Sequence, residues 1–165
     1  MEIQWKVERL TIFAAVGLVR EASPKRHKET TMQHITLSSA KALHLPFCSA
    51  VRAGDFLFLS GAIGNWPGTM NLVEGGLQAQ ARQAMENIRE VLGACGLGFA
   101  DTVKFTIMLA DMRRWAEFNA VYLGYFDPDR LPARSAFGAS GLALGGEVEI
   151  ECVAYWPVQG EIALS

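Results

Sequence analysis

Only two stretches of this chain carry a sustained helical period, against about six short runs with a strand-like one. Between residues 77 and 95, Leu77, Ala81, Ala84, Met85, Ile88, Val91, Leu92 and Cys95 recur at three- and four-residue spacings, with Gln80, Arg82, Glu86, Asn87, Arg89 and Glu90 on the other side. Gly96 follows as a C-terminal cap. The second helix starts after Asp111, a capping residue, and carries Trp115, Phe118, Tyr122, Tyr125 and Phe126 until the DPD at 127–129 stops it. That aromatic stripe is read as core, with no chemical role. The strand-like runs are DFLFLSGAIG (55–64), TVKFTIMLAD (102–111), 133–140 and 147–155, and residues 35–55 suggest a broken strand or two short ones interrupted near Pro46.

Two helices cover one face of such a sheet and no more. The expected fold class is therefore α/β in the α+β sense, a single mixed sheet of about six strands with two helices on one face. Its second face, with Phe, Leu and Ser alternations and a row of acids, is too mixed for a core and too apolar for water. A symmetric oligomer is the economical cover.

With 165 residues and half of them apolar, the chain has material for one domain. Cys48, Cys95 and Cys152 are odd in number, far apart and free of CxxC or Cys/His spacing, so buried reduced thiols and a cytoplasmic location are expected, with no metal site. Residues 1–31 hold six Lys/Arg against four Asp/Glu, leaving nine against thirteen in the remainder. An acidic body with scattered arginines lacks the continuous basic surface that nucleic acid requires as a partner. LTIFAAVGLV (10–19) is too short to span a bilayer and is preceded by charges of both signs, so no membrane segment is expected. Residues 1–35 are read as an N-terminal extension and linker, 36–160 as the domain and 161–165 as a tail; a degenerate signal peptide is the alternative for the N-terminus.

Phosphate-cradling, HExxH, GxGxxG and GxSxG signatures are absent, and the three histidines do not cluster. GGLQAQ and GLALGG read as ordinary glycine turns. Arg134 stands out, because its neighbours Pro132, Ala133, Ala136, Phe137 and Gly138 offer no partner along the strand. A guanidinium there must find an acid, a carbonyl or a ligand, and its planar fork suits a carboxylate. Glu147, Glu149 and Glu151 alternate with Val148, Ile150 and Cys152, which would place all three acids on one strand face. For Glu147 and Glu151 plain strand polarity is the preferred reading. If the strand of Glu149 pairs with that of Arg134, the two could line one cleft and bind an acid beside a water, or simply form an ion pair.

FLFLSGAIG, QAQARQAMENIREVLGACG, DTVKFTIMLAD, FNAVYLGYF, PARSAF and VEIECVAY occur in the order and nearly the spacing of the reactive-intermediate deaminase family, also called RidA or YjgF. The chain resembles that family from about residue 40 to 157, most specifically in PARS followed fifteen positions later by the strand glutamate. The resemblance implies a chorismate-mutase-like fold, a homotrimer with clefts between subunits, and cofactor-independent hydrolysis of 2-imino acids to 2-keto acids and ammonium. It implies that Arg134 grips the substrate carboxylate, that Glu149 activates the attacking water, that Asn119 assists, and that the backbone of Ser60 and Gly61 lines the pocket. Two positions depart from the pattern: Phe47 stands where many deaminases have tyrosine, and Ala136 where many have cysteine. Both make the substrate pocket more apolar. They favour either a bulkier imino acid or the alternative function, a non-catalytic trimeric module that binds keto acids.

Overall fold

The computed structural model describes residues 32–157, and its elements run in the order the periodicities predict. They are β1 (Gln33–Ile35), α1 (Ser38–Lys41), β2 (Ala50–Ala53), β3 (Phe56–Leu59), β4 (Ala62–Ile63), α2 (Gly76–Ala94), β5 (Thr102–Leu109), α3 (Trp115–Tyr122), β6 (Ala133–Gly138) and β7 (Val148–Tyr155). The strands form one mixed sheet in the order β1-β2-β3-β7-β5-β6, with β4 also on β7. Only β5 and β6 are parallel, as the α3 crossover between them requires. Of the extension expected over residues 1–35, residues 1–31 lie outside the described residues, as does the tail at 161–165, while Gln33–Ile35 form β1.

α2 is the long amphipathic helix. Its Leu77, Ala81, Ala84, Met85, Ile88 and Leu92 are buried, and Gly96, at φ 72°, ends it in the left-handed conformation. Gly96 N–H then donates to Gly93 O and Leu97 N–H to Leu92 O, satisfying the last-turn carbonyls. As expected, Asp111 caps the turn that leads into α3, accepting from Arg113 N at 2.9 Å. Against these helices the sheet presents Leu57, Leu59, Phe105, Ile107, Leu109, Val148, Ile150, Cys152 and Ala154. The aromatic stripe is core: Phe118 is fully buried, and the Tyr122 and Phe126 rings meet Phe105 edge-on at 5.7 and 5.4 Å. Contacts of that kind add about 0.5–1.5 kcal/mol each beyond the buried area.

The opposite sheet face has no covering layer among the described residues. It carries Phe56, Phe58, Phe137 and Tyr155, all exposed, among Thr106, Ser135 and Glu151. The leucines of β3 point inward and its phenylalanines outward, so this face is more aromatic than the expected Phe, Leu and Ser mixture.

Four local expectations need correction. Residues 35–55 hold the end of β1 and the short strand β2, with the single-turn helix α1 and an irregular stretch containing Pro46 between them. The run 55–64 is two strands. Phe58 pairs with Val153 and Ala62 with Ile150, so three residues, Leu59 to Gly61, oppose two on β7. That is a β-bulge, and it falls on Ser60-Gly61. Glu147 precedes β7 and does not share a face with Glu149; its side chain pairs with Arg114, and its N–H donates to Gln80 Oε1 at 2.8 Å. Of the three thiols only Cys152 is buried; Cys48 and Cys95 are half-buried, and all three are free.

Candidate active site

The bulge creates one wall of a cavity of about 340 Å³ that also receives Phe47, Ser49, Leu59 and Glu149. Glu149 reaches it because Val148 and Ile150 on either side are fully buried against the helices, which turns the carboxylate to the open face. Gly61 makes room for it: a β-carbon there would stand 3.0 Å from Glu149 Cδ and 3.2 Å from Cγ. On the other wall, Ser60 Oγ donates to Cys48 O at 2.7 Å and Ser60 N–H to Ser49 O at 3.1 Å. Those bonds hold the bulge rigidly beside β2. Ser60, Gly61, Phe47 and Glu149, four of the residues singled out in the sequence, therefore share one cleft.

Arg134 lies elsewhere. It pairs with Phe105, a core residue, so its side chain runs along the helix-covered face toward α3. There Asn119 Oδ1 accepts from Arg134 Nη1 at 2.9 Å, and the guanidinium carbon stands 4.4 Å from the Trp115 ring and 4.7 Å from the Tyr122 ring. Cation–π contacts of this kind contribute roughly 0.5–2 kcal/mol and fix the plane of the guanidinium. No carboxylate among the described residues lies within salt-bridge distance of Arg134. Ala136 shares the Arg134 face two positions on and packs against the core.

The pairing that would join Arg134 to Glu149 across adjacent strands does not occur. β5 separates β6 from β7, so the two backbones are about 10 Å apart at ordinary strand spacing, and the side chains leave opposite faces of the sheet. The ion-pair reading fails with it. Reading the sequence also missed Trp115 and Tyr122, whose spacing with Asn119 at i, i+4 and i+7 was the available signal for a shared helix face. Burial pushes the Tyr122 hydroxyl up to about 12, only partly opposed by the adjacent Arg134 charge, so it stays protonated. Its oxygen has no hydrogen-bond partner among the described residues.

One sheet with helices on one face, a bulge-built cleft beside β7 and a caged arginine on β6 define a class of small single-sheet α+β proteins. The sequence and structural relatives agree with that description. The family model described as Endoribonuclease L-PSP matches residues 38–156. The chain is 39% identical over 128 residues to the bovine protein named 2-iminobutanoate/2-iminopropanoate deaminase, covering 78% of this chain and 90% of that one. It is 37% identical to the Arabidopsis thaliana Reactive Intermediate Deaminase A, chloroplastic, over 73% of this chain and 64% of that one. Among solved structures, RidA from an Antarctic Psychrobacter superposes with a TM-score of 0.68 at 37% identity, covering 74% of this chain and 98% of that one. The chain belongs to the reactive-intermediate deaminase (RidA/YjgF) family.

Among the described residues no helix is long and apolar enough to cross a membrane, and no cluster of three or more His, Cys, Asp or Glu is placed to hold a metal ion.

Proposed function

We propose that this protein hydrolyses 2-imino acids and their enamine tautomers to 2-keto acids and ammonium. The observation that carries the reading is Arg134: a guanidinium caged by Asn119, Trp115 and Tyr122 and left without an acid among the described residues. Two forked N–H groups held in a fixed plane await a carboxylate. Relatives named as imine deaminases support the same substrate class.

In the proposed reaction the Arg134 fork receives the substrate carboxylate, and Asn119 keeps the fork in plane. Glu149 accepts a proton from a water whose oxygen adds to the imine carbon, while the C=N electron pair moves to nitrogen, which takes a proton from solvent. The resulting carbinolamine collapses. Its hydroxyl proton passes to solvent as the C=O forms and the C–N bond breaks, Glu149 returns its proton to the departing nitrogen, and ammonia leaves to become ammonium by taking a proton from solvent. The backbone at Ser60 and Gly61 lines the pocket, Phe47 supplies an apolar wall in place of a phenol, and Ala136 leaves space. No cofactor enters this sequence of steps.

Since Arg134 and Glu149 leave opposite faces of one sheet, the complete site is proposed to form between subunits of a homotrimer whose open sheet faces meet. The exposed Phe56, Phe58, Phe137 and Tyr155 support that packing. The catalytic unit is read as residues 36–160 with an N-terminal extension, working in the cytoplasm, a compartment that the three free cysteines favour. Small imino and keto acids, and not nucleic acid, are the proposed partners; the net charge of −2 supports this.

The test is to generate 2-iminopropanoate and 2-imino-4-methylpentanoate in situ with an amino-acid oxidase and follow their decay. Wild-type protein should accelerate at least one, and Arg134→Ala should not. Keto-acid binding without acceleration of either imine would replace this reading with the non-catalytic binding module. Single-stranded RNA binding with a steep salt dependence would overturn the choice of partner.

A further inference from the structure

The cleft that holds Glu149 does not end at the reacting atoms. From Ser60, Gly61 and Glu149 it continues between α1 and α2 along Leu43, Leu45, Met70, Ile88, Val91 and Leu144. At about 340 Å³ it falls in the range of roughly 300–1,000 Å³ typical of clefts that enclose drug-sized ligands. A molecule as small as 2-iminopropanoate, the smaller of the two imines named above, would leave much of it empty.

Two backbone features show that this annex is built. Among the described residues only His44 (φ 50°) and Leu144 (φ 58°) adopt the left-handed conformation without being glycine. Both border this cavity: His44 lies between two of its lining leucines, and Leu144 lines it directly. Leucine in that conformation is disfavoured where glycine is free, and the loop carries glycines on either side that could have taken the position. A leucine held in that conformation on the pocket wall points to a wall whose shape matters.

Resting on the deaminase reading, we infer that this annex receives the substrate's side chain, so that the protein prefers 2-imino acids with branched, thioether or aromatic side chains over the three- and four-carbon ones. Leu144 and Met70, at the exposed end of the cleft, are the specificity-determining residues. Each extra methylene in a hydrophobic pocket is worth on the order of tenfold or more in discrimination. Wild-type kcat/KM for 2-imino-4-methylpentanoate should therefore exceed that for 2-iminopropanoate by at least about tenfold.

The experiment has two arms, run on the full chain. Kinetics with the two imines give the selectivity ratio for wild type, Leu144→Gly and Met70→Ala. Leu144→Gly removes the side chain at a backbone position glycine adopts without strain, so folding is not at risk. Each substitution should lower the ratio by about tenfold. In parallel, calorimetry measures binding of 4-methyl-2-oxopentanoate and pyruvate, which requires no chemistry. Tighter binding of the branched keto acid, weakened by either substitution, supports the annex even if no imine is hydrolysed, in which event only the deaminase reading falls. Equal or tighter binding of pyruvate, or a ratio unchanged in both variants, overturns the inference and leaves the deaminase reading standing.

Discussion

Arg134 and Glu149 leave opposite faces of the sheet with β5 between their strands, so in the proposed intersubunit site a protomer damaged at one of them still carries the other intact. That arrangement makes subunit complementation a quantitative test. In the proposed reaction Arg134→Ala removes two charge-assisted hydrogen bonds to the substrate carboxylate, about 1.5–3 kcal/mol each, for a loss of roughly 10²–10⁴ in kcat/KM. Glu149→Ala removes the proposed general base, worth about 10²–10⁴. Either variant alone should therefore retain on the order of 1% activity or less. In a ring of mixed subunits, a site is intact when the protomer giving the arginine carries the glutamate lesion and its neighbour carries the arginine lesion. Random mixing at equal amounts makes that true of about one site in four. Co-refolded mixtures, assayed for imine decay with hybrid formation checked by native mass spectrometry, should recover roughly a quarter of wild-type activity. Hybrids with no activity beyond that of the parents would show that both groups act within one protomer, and the intersubunit reading would be wrong.

Further outcomes follow from the same geometry. Gly61→Ala puts a methyl where the Glu149 side chain lies, on a backbone that alanine tolerates; a displacement near 1 Å should cost about 10²-fold in kcat with little change in melting temperature. Asn119→Ala frees the Arg134 fork from its 2.9 Å tie, and a KM increase of roughly tenfold with a smaller change in kcat is expected from steady-state kinetics. Burial raises the Cys152 thiol from 9.0 to about 12, with Glu151 adding to it. The folded state then holds a proton that the unfolded chain releases, so this contribution to stability is complete below pH 9 and is lost as pH rises toward 12. Denaturant titrations from pH 8 to 11 should show that decline, flattened in Cys152→Ala; an identical slope in the variant would remove Cys152 as its source.

The parts of this fold that repeat on a short period were legible, because burial on one side is all they need. α2 shows this at 3.6 residues, and β5 and β7 at two. Alternation fixes the face of a residue relative to its strand neighbours, and for Glu149 that sufficed, since Val148 and Ile150 are unambiguous core. For Arg134 it did not. Its strand alternates Arg and Ala with Ser and Phe, and nothing in that pattern says whether the arginine or the phenylalanine faces the helices. Tertiary structure decides, by laying α3 across the sheet edge so that its Trp115 and Tyr122 accept the guanidinium. Strand order was hidden for a related reason. Proximity in sequence suggested that β6 and β7 are neighbours, yet the crossover through α3 sets β6 parallel on one side of β5, and β7 takes the other.

Glu149 and Arg134 both sit where the regular ladder gives out, and the reason is physical. Within a continuous sheet every backbone group is paired and alternate side chains are committed to a core, so a polar group has neither free space nor a free ligand-facing direction. The extra residue at Ser60-Gly61 opens the ladder next to β7 and clears a path for the Glu149 carboxylate. β6, an outer strand, leaves Arg134 one uncommitted side, along which α3 braces it without neutralising it. Were a glutamate in place of Asn119, the guanidinium would be paired within its own protomer and its affinity for an incoming carboxylate would fall. The Asn119 amide accepts a hydrogen bond from the guanidinium and carries no charge, so it orients the arginine without cancelling its positive field.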